Sequence, residues 1–188
     1  MATLDDLCRT FALAMDLDAA TVGGWADTLA DAGRVTHDRV TESDAAVLLL
    51  AILSSERDGD LVEAADVFGS LPLCDGQLTL GAGLELAISE CPGAVQLAVG
   101  EVDTLPFGQL LTVVGSRLGP VPQALIFAAR DIQGGACGRI RFVGPSVIAA
   151  LSEVCCRPVT KPHLLTEAAL SPLLNRKTSS PDRAPPPH

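Results

Sequence analysis

The chain has 188 residues, of which 48% are apolar and 19% are charged, a balance typical of a globular protein. Its mean hydropathy of +0.35 is high, yet the longest apolar run, AAVLLLAIL at residues 45–53, is about half as long as a bilayer span requires. The first residues, MATLDD, carry acidic side chains where a signal peptide would carry basic ones. We therefore expect a soluble, cytoplasmic protein that makes no membrane contact.

The acidity is confined to the N-terminal third of the chain. Residues 1–66 contain fourteen Asp and Glu against four Arg, a net charge of −10, whereas residues 67–188 contain nine charges of each sign. A polyanion such as DNA is repelled by a segment of this kind unless the local geometry hides the charge. The charge distribution therefore disfavours DNA binding by the N-terminal segment.

Two capped helices are predicted first. Apolar residues at helical spacing predict a helix from about Thr3 to Met15, with Thr3 as its N-cap. Asp18 is the predicted N-cap of a second helix, and Gly33 supplies the C-terminal stop of that helix. The residues of the second helix expected to face the core are Val22, Trp25, Ala26, Leu29 and Ala32.

The next segment, TESDAAVLLLAILSSE, predicts a third helix that Thr41 or Ser43 caps and Asp44 acidifies in its first turn. It is apolar nearly all round over residues 45–53. A helix of that kind either lies centrally in a fold or packs against a second subunit. We expect its residues 48–53 to contribute to a partner interface.

The chain changes character beyond a polar break at residues 55–60. Two short helices are predicted there, the first ending near Gly69 and the second before Pro92. Apolar, partly alternating segments separated by Gly or Pro then predict the strands of a small, mainly antiparallel sheet, and a last helix begins at Pro145. The predicted strands cover residues 94–102, 109–116, 123–132 and 138–144. We predict an α+β protein in three parts: an N-terminal three-helix, helix-turn-helix-like unit (1–57), a small helix-plus-antiparallel-sheet domain (58–156) and a disordered, Pro-rich tail (157–188).

The segment ALAMDLDAATVGGWADTLADAGRV, residues 12–35, resembles the bacterial helix-turn-helix consensus. The following VTESDAAVLLLAIL resembles a segment of small proteins from phage and prophage clusters of high-GC bacteria, in which a Thr-x-x-Asp-Ala-Ala helix follows the helix-turn-helix. The resemblance is limited to the N-terminal quarter of the chain, and it implies DNA binding, with roles in transcriptional control or in DNA packaging such as that of a small terminase subunit. The matching positions are Ala12, Ala14, Asp18, Thr21, Val22, Trp25, Leu29, Ala32, Gly33 and Val35.

The chain departs from this family pattern where DNA would be read. The turn carries Asp16 where the family usually has glycine. The outward positions of the second helix are small or acidic, whereas base readout needs Arg, Lys, Asn or Gln. Small residues permit close approach of another backbone, so we predict a protein partner or self-association there. The predicted partner-binding residues are Gly23, Gly24, Trp25, Asp27, Thr28 and Asp31.

Basic residues are few. Arg34 and Arg39, in the connector after the second helix, are the candidates for phosphate contact, and two contacts contribute little at physiological salt. Arg139 and Arg141 alternate with apolar residues on a predicted strand and are candidates for contacting an anion or an acidic partner, although a solvated strand face also explains them.

The six cysteines have no repeated spacing and no Cys-x-x-Cys pair, so neither a disulfide framework nor a zinc site is expected. The chain has no Gly-Lys-Ser/Thr loop for a nucleotide, and we expect no cofactor, no metal and no catalytic residues. An enzyme that uses Cys137 or the Cys155–Cys156 pair is the weakest alternative.

These observations predict a non-enzymatic binding or assembly protein. It would be a phage- or prophage-type DNA-packaging or regulatory accessory that acts mainly through protein contacts. The alternative is an oligomeric, sequence-specific DNA-binding regulator that depends on avidity.

Overall fold

The computed structural model describes residues 2–54, 60–73, 78–90, 92–102, 105–112, 124–128 and 137–155. All of them belong to the first of two units into which the chain divides, Met1–Pro158 and Val159–His188. The described residues form helices and one antiparallel sheet, which confirms the α+β class. The helices are α1 (Leu4–Met15), α2 (Ala19–Asp31), α3 (Glu42–Ser54), α4 (Leu61–Gly69), α5 (Leu80–Glu90) and α6 (Pro145–Cys155), and the strands are β1 (Val95–Val102), β2 (Leu105–Thr112), β3 (Ala124–Ala128) and β4 (Cys137–Val143).

Helix α1 begins and ends as its sequence predicts. Thr3 and Asp6 form a capping box, in which the Asp6 N–H donates to Thr3 Oγ1 at 3.3 Å and the Thr3 N–H donates to Asp6 Oδ2 at 3.0 Å. At its other end, Asp16 adopts a left-handed conformation with φ 53°. Asp is among the few non-glycine residues that reach this region at modest cost, which explains how it replaces the usual turn glycine.

Helix α2 also matches its predicted bounds. The Thr21 N–H donates to the Asp18 carboxylate at 2.8 Å, which confirms the N-cap. Gly33, with φ 68°, ends the helix in a Schellman motif, since its N–H donates to the Ala30 carbonyl at 2.8 Å and the next N–H donates to Leu29, also at 2.8 Å. Ala32 is exposed rather than inward, because the regular helix stops at Asp31.

Helix α3 lies at the centre of the fold. Thr41 caps it, and every residue from 44 to 53 except Val47 is buried. It packs chiefly against α4 and α5, with further contacts to α6, β1 and β4. Of the two predicted locations for α3, the centre of the fold and a contact with a second subunit, the first is therefore correct. The expectation that residues 48–53 form a partner interface is wrong, because this chain itself covers them.

The strands follow the order β3-β2-β1-β4, with every neighbouring pair antiparallel. Strands β1 and β4 lie within one residue of their predicted bounds, and β3 begins one residue later than predicted. Strand β2 begins at Leu105, four residues before its predicted start. Pro106 lies opposite Glu101 near the end of β1, and pairing of β2 with β3 begins only at Phe107.

Helix α5 packs directly on one face of the sheet. A Cβ atom at Gly108 would lie 2.2 Å from Leu80 Cδ2, and one at Gly83 would lie 3.1 Å from both Leu110 Cδ1 and Phe127 Cζ. Glycine at these two positions therefore lets the helix and the sheet approach closely. The buried residues on this helix-facing side of the sheet include Val95, Leu97, Val99, Leu110, Phe127 and Val143.

Buried residues of all six helices and of the helix-facing side of the sheet belong to one hydrophobic cluster. The predicted boundary at residue 57 and the predicted tail at 157–188 lie outside the described residues. The division into two domains therefore stays a prediction. In the described part of the chain, no helix combines the length and the apolar character needed to cross a bilayer.

Candidate functional site

The candidate site is the outer face of α2, made of the six residues predicted to bind a partner. Gly24, Asp27, Thr28 and Asp31 are exposed, whereas Gly23 and Trp25 are partly buried. A Cβ atom added at Gly23 or Gly24 would have nothing within 4 Å outside the helix itself. The backbone of α2 is therefore accessible to a neighbouring molecule along this face.

The side chains of the α2 outer face differ in what they offer. Trp25 packs partly against the core and keeps part of its ring accessible. The Thr28 hydroxyl donates to the Gly24 carbonyl at 2.8 Å, so its proton is used within the helix. Asp27 and Asp31 are one helical turn apart and both exposed, which makes this end of the face acidic. The arrangement offers a shallow, acidic surface with one aromatic side chain.

The two connector arginines do not reinforce each other as phosphate ligands. Arg34 forms an ion pair with Asp66 of α4, with 2.5 Å between Nη2 and Oδ2, and both side chains are about half exposed. A carboxylate at this distance cancels much of the positive charge that a phosphate would meet. Arg39 is exposed, and its carbonyl accepts a hydrogen bond from the Thr36 hydroxyl at 2.8 Å.

Arg141 has a partner that nothing near it in the sequence indicates. Its Nη1 donates to the carbonyls of Leu53 at 2.7 Å and Ile52 at 3.3 Å, in the last turn of α3. Helix α3 has no basic residue of its own in that turn, and a guanidinium there satisfies carbonyls and complements the helix dipole. The structure thus gives Arg141 a structural role, while the side chain of Arg139 lies outside the described residues.

Asp44 is a second polar side chain whose contacts its neighbours in the sequence do not indicate. It is 5% exposed, and its carboxylate accepts hydrogen bonds from the backbone N–H and the hydroxyl of both Thr36 and Thr41, at 2.7 to 3.1 Å. The sequence indicated only an acid in the first turn of α3. Its contact with Thr36 holds the connector that follows α2 against α3. Asp44 therefore positions the C-terminal end of α2 indirectly.

Cys8 and Cys155 are the cysteines whose side chains the structure describes. Burial, together with the nearby charges of Asp5 and Asp27, raises the pKa of Cys8 to about 11. Cys155 is partly buried, with its Sγ 3.4 Å from the Thr41 carbonyl. The side chain of Cys137 and all of Cys156 lie outside the described residues. In the same described part, no three metal-ligating side chains come together.

Comparison with known protein families, curated proteins and solved structures found no match to this chain. The resemblance of residues 12–53 to phage helix-turn-helix proteins therefore stays a prediction.

Proposed function

We propose that this protein is a non-enzymatic binding protein that acts through protein contacts made by the α2 outer face. Its role would be that of a phage- or prophage-type DNA-packaging or regulatory accessory in the cytoplasm. The fold class and the capped α1–α2 pair are compatible with a helix-turn-helix origin. The resemblance of residues 12–53 supplies the phage context.

The observation that carries the proposal is the empty space over Gly23 and Gly24. Two adjacent glycines in the interior of a helix cost about 1 kcal/mol each relative to alanine. Nothing in the described structure requires them, since no atom outside the helix lies within 4 Å of either Cβ position. Close approach by a second backbone is a reason for keeping glycine on an open helix face.

The charges on α2 favour a protein over DNA as the molecule that approaches. The helix contains Asp27 and Asp31 and no basic residue. Arg34, the nearest cation in the sequence, is paired with Asp66. Affinity for DNA comes largely from contacts of basic side chains with phosphates, and this face presents no basic side chain.

Site-specific photocrosslinking tests the proposal. A photoreactive amino acid replaces Thr28, which is exposed one helical turn from Gly24 on the α2 outer face, in the full-length protein within its native cells. In a matched control the same amino acid replaces Glu85, which is exposed on α5. We expect a nuclease-resistant protein adduct from position 28 and none from position 85. Equal adducts from both positions, or no adduct from position 28, would contradict the proposal.

The oligomeric DNA-binding regulator is the second candidate. It is favoured by the exposure of α2 after a short turn from α1, which is how helix-turn-helix proteins present their recognition helix. It predicts a nuclease-sensitive adduct from position 28 in the same experiment. The two candidates therefore give opposite results in one assay.

A further inference from the structure

We draw no further inference here: the strongest candidate, the apolar side of the sheet that faces away from the described helices and carries Ile126 and Phe142, carries none, because nothing in the part of the chain that the structure describes shows what covers it.

Discussion

Replacing Gly24 with alanine should stabilise the protein. Gly24 lies inside α2, and no atom outside the helix comes within 4 Å of its Cβ position. Alanine is favoured over glycine by about 0.5 to 1 kcal/mol in such a position, which corresponds to about 1 to 4 °C in unfolding temperature for a chain of this size.

The matched control is Gly108→Ala, which should destabilise the protein. Its Cβ would lie 2.2 Å from Leu80 Cδ2 and 2.9 Å from Leu80 Cδ1. Leu80 is fully buried, so its side chain cannot turn out into solvent, and we expect Gly108→Ala to lower the free energy of unfolding by about 1 to 3 kcal/mol. The double variant with Leu80→Ala should show strong non-additivity, because it removes the atoms that clash.

Urea unfolding followed by circular dichroism, at a low protein concentration, measures both variants. The expected result is a higher midpoint for Gly24→Ala and a lower one for Gly108→Ala. A lower midpoint for Gly24→Ala would show that this chain packs another group against the α2 outer face, which would contradict its accessibility. Gly24→Ala should also lower the yield of the adduct formed from position 28, although it stabilises the fold.

Four further outcomes are expected. Asp44→Ala should lower the free energy of unfolding by about 3 kcal/mol, because it removes the acceptor of the Thr36 and Thr41 N–H groups and of the Thr41 hydroxyl, whereas the Thr36 hydroxyl keeps the Arg39 carbonyl; urea unfolding measures it. Arg141→Met should lower the free energy of unfolding by about 1 to 2 kcal/mol, because it removes the hydrogen bonds to the α3 carbonyls. Arg34→Met should lower it by about 0 to 1 kcal/mol, because the ion pair of Arg34 is exposed. Equal losses in the two variants would contradict the structural role of Arg141. Hydrogen bonds from Thr21 hold the pKa of Asp18 below its ordinary value of 3.8. The contribution of Asp18 to stability is therefore complete above about pH 3.8 and is lost as the pH falls through the folded-state pKa. Asp18→Asn should flatten the dependence of the unfolding free energy on pH in this range, and an unchanged dependence would contradict the cap. Cys8, with its pKa raised from 9.0 to about 11, should react with iodoacetamide at pH 8 about a hundredfold more slowly in the folded protein than in urea, and equal rates would contradict its burial.

The sequence predicts those features that depend on neighbouring residues. The caps at Thr3 and Asp18 and the stop at Gly33 are local signals, and each lies where it was predicted. The apolar run of α3 correctly indicates a central helix, because such a helix needs cover on all sides. Which residues cover α3 depends on contacts that are distant in sequence. The expectation that a partner protein covers residues 48–53 is therefore wrong.

Features that depend on tertiary contacts were not predictable in the same way. Nothing near Arg141 in sequence indicates that it donates to carbonyls 88 residues earlier. Gly108 is required by the side chain of Leu80, which is remote in the chain. Phe142 alternates with Arg141, and only the strand register shows that the two side chains lie on opposite sides of the sheet.

The fluorescence anisotropy of a labelled mixed-sequence duplex tests most directly the proposal that α2 binds protein and not DNA. At about 50 mM salt, where phosphate contacts are stronger than at physiological salt, we expect no saturable rise in anisotropy up to about 10 μM protein. Saturable binding below that concentration, weakened by Arg34→Ala together with Arg39→Ala, would contradict it.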